Sequence, residues 1–141
     1  MQFEDFIKAG QVKRGASDRQ LAKALQSTAE QDMKFLNALP ITALSARKMV
    51  SNYYDVLRSM LEAVVALEGL KVYSHEAFLY YLLERDEESL GRKFDRLRRI
   101  RNGINYYGKD ISVAEAREVI AEMKKLIEYV QSKLQKELRH P

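Results

Sequence analysis

The apolar positions of this chain recur at helical spacing over most of its length. Ala22, Leu25, Ala29, Met33 and Leu36 form one stripe, which predicts a helix from about Ser17, as N-cap, to Leu39 before Pro40. Val50, Tyr53, Tyr54, Leu57, Leu61, Val64 and Val65 form the next, predicting a helix from near Thr42 to Glu68 with Gly69 as its stop. Ser74 is read as the N-cap of a shorter helix with His75 and Glu76 in its first turn. Its run Phe78 to Leu83 is apolar without interruption. A helix apolar all round is covered all round, so this run predicts burial between neighbours or at a subunit contact. A fourth helix spans about Glu87 to Asn105 and stops at Gly108. Ser112 and Glu115 fit a capping box, opening a fifth helix with Val113, Ala116, Ile120, Met123, Ile127, Val130 and Leu134 on its stripe. Residues 2 to 9 predict a further short helix carrying Phe3, Phe6 and Ile7. Gly10 and Gly15 bracket a basic connector with Lys13 and Arg14. No segment alternates with period two over a strand length, so no sheet is expected. The pattern reads as all-α: an antiparallel up-and-down bundle of four long helices plus one or two shorter ones.

With 141 residues, the chain suits a single domain over 1–141, its core about 17–138. There is no apolar run that could span a bilayer, and the acidic start lacks the order of a signal peptide. The absence of cysteine excludes disulfides, thiolate metal sites and a cysteine nucleophile, and agrees with a cytoplasmic location. No second histidine or carboxylate stands at ligand spacing from His75, so no metal site is expected. Phosphate loops, nucleophile elbows and zinc-protease motifs are missing, and no cofactor is implied.

The net charge of +4 is modest; its distribution is more telling. Arg92, Lys93, Arg96, Arg98, Arg99 and Arg101 crowd one stretch, interrupted by Asp95, behind the acidic run Glu84, Asp86, Glu87 and Glu88. Acid before base complements the helix macrodipole, so a solvated helix face explains this order as well as a phosphate-binding patch does. The stretch ends in Arg101-Asn102-Gly103-Ile104-Asn105-Tyr106-Tyr107-Gly108. Arg101 shares a face with Phe94, Leu97 and Ile104, where an apolar residue would be expected. Asn105 lies one turn beyond Arg101, and Asn102 one turn before Tyr106. Burying an arginine is costly unless it is paired. Either Arg101 ties helices together through a carboxylate, or it belongs to a phosphate or nucleotide site. Asp55, Arg58 and Glu62 share a flank of the second helix. They read as a surface ion-pair ladder, or as a set from which Arg58 or Glu62 orients Arg101. His75, the one histidine outside the C-terminal tail, is the first suspect if acid–base chemistry occurs.

At these residues the chain resembles archaeal proteins with the higher-eukaryote-and-prokaryote nucleotide-binding (HEPN) domain. Besides Arg101 to Gly108, the resemblance rests on Tyr54-Asp55-Val56-Leu57-Arg58 and on Lys71-Val72-Tyr73-Ser74-His75-Glu76-Ala77, and it covers roughly Ser17 to Leu134. It implies a small helical bundle, a homodimer, and a minimal nucleotidyltransferase partner. Some members are metal-independent, toxin-like ribonucleases that carry an arginine, a polar residue next, and a histidine four to six positions after the arginine. Arg101 and Asn102 match, but Tyr106 or Tyr107 stands in the place of the histidine. Three functions follow. In a subunit binding a nucleotide or RNA, Arg101 contacts phosphate, with Arg98, Asn102 and Asn105 around it and Tyr106 and Tyr107 available for stacking. In a ribonuclease, Arg101 would stabilise the phosphorane, and His75 or Tyr106 would have to act as the unusual base. In a structural protein, the polar helix end is a fixed hydrogen-bond network.

Overall fold

The computed structural model describes residues 1–140. The chain is mostly helical: α1 (Phe3–Lys8), α2 (Arg19–Asn37), α3 (Ala46–Leu67), α4 (Ala77–Leu83), α5 (Glu88–Tyr106) and α6 (Val113–Arg139). The all-α class holds, with one correction. Two short strands, β1 (Val12–Arg14) and β2 (Leu70–Val72), pair antiparallel in the register Val12 to Val72, Lys13 to Lys71 and Arg14 to Leu70. The segment read as a basic connector is therefore half of a two-stranded sheet. Three residues are too few to show a period of two. What holds the pair is burial of Val12, Val72 and Leu70 beneath exposed lysines, a contact between distant parts of the chain.

α3 is the centre of the molecule. It packs against α2, α5, α6 and β2, and Tyr53, Tyr54, Leu57, Met60 and Leu61 along it are almost wholly buried. The stripes of α2 and α6 face this helix as their spacing requires: Ala22, Ala29 and Leu36 from one, Ala116, Ile120, Met123, Ile127, Val130 and Leu134 from the other. Each fully buried side chain of this size contributes roughly 1.5–3 kcal/mol of transfer free energy.

Several ends differ from those read off the sequence. The N-cap of α2 is Asp18, whose carboxylate accepts from the Leu21 N–H at 2.9 Å, and not Ser17. α3 starts at Ala46 rather than near Thr42, because local hydroxyl bonds compete with helix there. The Ser45 hydroxyl accepts from the Thr42 N–H at 2.9 Å and donates to the Pro40 carbonyl at 3.0 Å. Ser74 does not cap α4 through its side chain. Ser74 to Glu76 form a turn closed by backbone bonds from Ala77 to Ser74 and from Phe78 to His75, each 3.1 Å, so His75 precedes the helix. The Ser112–Glu115 capping box is present. Gly69 ends α3 at φ +74°, and a Cβ there would stand 2.0 Å from the Gly15 carbonyl oxygen.

The apolar run of α4 finds its cover inside the chain. Phe78, Leu79, Tyr81 and Leu82 are buried. Phe3 meets Tyr81 edge-on at 5.7 Å between ring centroids, Phe6 lies 5.3 Å from Tyr80, and Phe78 packs on Phe94 at 5.6 Å. α5 and the short α1 supply the neighbours, so this run gives no support to a subunit contact. No helix among the described residues is long and apolar enough to cross a membrane.

Candidate functional site

The last two turns of α5 carry Arg101, Asn102, Asn105 and Tyr106, and α3 lies beside them with Ser51, Tyr54, Asp55, Arg58 and Glu62. Tyr54 anchors the site. Its ring is fully buried and stacked on Phe94 at 5.6 Å, and its phenol shares a 2.9 Å hydrogen bond with Nδ1 of His75. The Arg101 guanidinium lies over this ring, 5.0 Å from its centroid, and 5.5 Å from that of Tyr106.

Arg101 is poorly satisfied for so enclosed a cation. Its side chain is only 14% exposed and its nearest carboxylate oxygen, Oδ1 of Asp55, is 3.7 Å away. One terminal nitrogen donates to Oδ1 of Asn102 and to the Tyr106 hydroxyl, both at a long 3.3 Å. Nε is buried with no partner at all. Native interiors rarely leave such a donor unmatched.

The other arginines are better paired. Arg58 donates to Glu62 at 2.7 Å and stands 3.9 Å from Asp55, so the ladder expected on α3 exists. Neither Arg58 nor Glu62 orients Arg101 directly; Asp55 stands between the two cations, its oxygen long from both. Arg98 is held by the buried Asp95 at 2.9 Å and 3.0 Å, and Asp95 also takes Arg99 at 2.9 Å. Arg98 thus adds field but not an open fork. Asn105 turns to α3 and donates to the Ser51 hydroxyl at 2.9 Å. Tyr106 and Tyr107 are exposed.

Burial, more than charge, shapes two titratable groups at the centre of the site. Burial, and then Arg58, Arg101 and Arg98, lower the His75 pKa from 6.5 to about 4, so its ring is neutral at pH 7. Burial raises the Tyr54 phenol far above its usual range, and the same arginines offset only part of that. A weak imidazole whose Nδ1 is occupied, and a phenol that keeps its proton, are poorly suited to proton transfer at neutral pH. The Tyr106 hydroxyl is the acceptor of an arginine bond.

The structure thus gathers Arg101, Asn102, Tyr106, Arg58, Glu62, Arg98 and His75 around Tyr54, leaves Asn105 tied to α3, and sets Tyr107 on the outer surface. Asp55 and Tyr54 had no assigned place in the site. Their signal was the adjacent Tyr54-Asp55 pair one turn before Arg58. Beside the cluster lies a cavity of about 370 Å³ lined by Leu44, Arg47, Lys48, Ile104, Asn105 and Tyr106, which adds two cations from the start of α3. No group of three or more His, Cys, Asp or Glu among the described residues could hold a metal ion.

Comparison of the chain with protein-family models, with curated proteins and with solved structures finds no match.

Proposed function

We propose that this chain is a HEPN-type binding subunit, an antiparallel up-and-down bundle that recognises a phosphate of RNA or of a nucleotide with Arg101. The supporting observation is the state of that guanidinium: enclosed, stacked on Tyr54, long from its one counter-ion, and with Nε unpartnered. A phosphate oxygen provides the strong acceptor that Asp55 at 3.7 Å does not. Arg47, Lys48 and the exposed Tyr106 and Tyr107 extend the site along a strand, with cations for the backbone and rings for the bases. The resemblance of Arg101 to Gly108 to the family supplies the rest of the reading: a homodimer with α5 near its interface, and a minimal nucleotidyltransferase as partner. Ribonuclease activity is the lesser reading, because the one nearby imidazole is held neutral and weakly basic.

Fluorescence anisotropy with short single-stranded RNA and with nucleotides tests this. A charge-assisted contact contributes roughly 1.5–3 kcal/mol, so Arg101→Ala should weaken binding by about ten- to more than a hundredfold. Affinity should fall with salt, Arg101→Lys should recover part of the loss, and His75→Ala should leave it unchanged. Metal-independent RNA cleavage by the wild type, abolished in both Arg101→Ala and His75→Ala, would put the enzyme first.

A further inference from the structure

A second cavity shares no residue with the Arg101 cluster. It has a volume of about 430 Å³, within the range of small-molecule sites. Its floor is apolar, with Val64 of α3, Leu82 of α4, Leu90 of α5 and Val130 of α6 each keeping a little exposure. Side chains from four helices therefore converge on this apolar floor.

Charged side chains rim it, and most are matched in pairs. Arg85 lies 2.7 Å from Glu68, and Lys133 lies 2.7 Å from Glu87. Arg19 is different. It is half-buried, it lines the cavity, and its one partner among the described residues is the Leu138 carbonyl at 2.5 Å. It also stands at the first residue of α2, where the helix macrodipole disfavours a cation. Holding the end of α6 explains one N–H of this fork. The remaining donors of a planar guanidinium match a carboxylate. Glu137 sits at the same rim, exposed and with no ion pair among the described residues.

We propose that this cavity binds a small carboxylate with an apolar body, its head on Arg19 and its body on Val64, Leu82, Leu90 and Val130. A fatty acid of medium length and an apolar amino acid share this chemistry, and the second would also place its ammonium near Glu137.

The test is amide-shift NMR titration of the full chain with octanoate, octanamide and L-leucine. Octanoate should shift resonances around the cavity and bind at least about tenfold more tightly than octanamide, the loss of one charge-assisted contact. Arg19→Gln should erase that difference, and Arg19→Lys should restore part of it. Leu67→Trp, at a half-exposed position lining the same cavity, should block the octanoate shifts by filling the space. It provides a second check should Arg19→Gln loosen α6. Tighter binding of L-leucine than of octanoate, lost in Glu137→Gln, would assign the amino acid as ligand. Equal binding of octanoate and octanamide, shifts confined to other surfaces, or no binding of any of the three would overturn the proposal.

Discussion

Arg101→Met separates a ligand-binding arginine from a structural one. Methionine keeps much of the aliphatic stem and removes the guanidinium. Four contributions change. The ion pair with Asp55, at 3.7 Å to a carboxylate 45% exposed, contributes about 0–1 kcal/mol at most. The stacking on Tyr54 at 5.0 Å contributes about 0.5–1 kcal/mol. The two 3.3 Å bonds to Asn102 and Tyr106 are long, and their partners can turn to water because Tyr106 is exposed. Against these losses, the variant no longer buries the unpartnered Nε, whose desolvation costs roughly 1–3 kcal/mol. The sum is near zero, so urea unfolding of Arg101→Met should match the wild type to within about 1 kcal/mol. Anion affinity should nevertheless fall as it does in Arg101→Ala. Destabilisation beyond about 3 kcal/mol would refute the reasoning, because it is the size expected for breaking a well-satisfied buried ion pair.

Four further outcomes are expected. His75 has a folded pKa of about 4 against 6.5 when unfolded, so the unfolded chain binds its proton first; the stability it contributes is complete above pH 6.5 and is lost as pH falls toward 4. Melting temperatures followed over that window should decline less in His75→Gln than in the wild type. Gly69→Ala should be severely destabilising or prevent folding, since its φ is +74° and the Cβ would meet backbone at 2.0 Å, whereas Gly108→Ala, with φ +64° in open space, should cost about 1–2 kcal/mol by denaturant unfolding. Light scattering should report a dimer at micromolar concentration, and a monomer throughout would count against the homodimer proposed from the family resemblance. The wild type should cleave end-labelled RNA no faster than background and Tyr106→His should cleave it weakly; no cleavage by the variant would mean that the helix end lacks the geometry of the ribonucleases it resembles.

α2, α3 and α6 were legible because each carries a long apolar stripe, and Met123, Ile127 and Leu134 of α6 are buried where their period placed them. Strand pairing was not legible, because Val12 gains its meaning from Val72 and nothing near either residue announces the other. For α4 the apolar run announced burial, between neighbours or at a subunit contact, and only the fold shows which neighbours bury it, Phe94 of α5 and Phe3 and Phe6 of α1. In the site, helical spacing correctly set Arg101 on an inward face, since one helix suffices to fix that. Partner choice depends on two helices at once, and there Asp55 rather than Glu62 reaches the guanidinium. Asn105 shows the same limit: its spacing placed it with Arg101, but its amide found Ser51 on α3.

The strand pair also bears on the order in which the chain assembles. Joining Val12 to Val72 closes a loop that contains all of α2 and α3. That closure costs more entropy than a contact between helices consecutive in the chain, and it gains three residue pairs, the burial of Val12, Leu70 and Val72, and flanking bonds from the Tyr73 N–H to the Gln11 carbonyl at 2.8 Å and from the Gly15 N–H to the Gly69 carbonyl at 2.6 Å. The helices inside the loop can pack first, and the arm formed by α1 and β1 can then dock as a late and separately opening unit. Amide protons of Val12 to Arg14 should therefore exchange before those of α3. β2 leads directly into the turn that carries His75, and when the arm opens that strand keeps its packing on α3, so the turn and its hydrogen bond to Tyr54 are anchored to the part of the chain that assembles first.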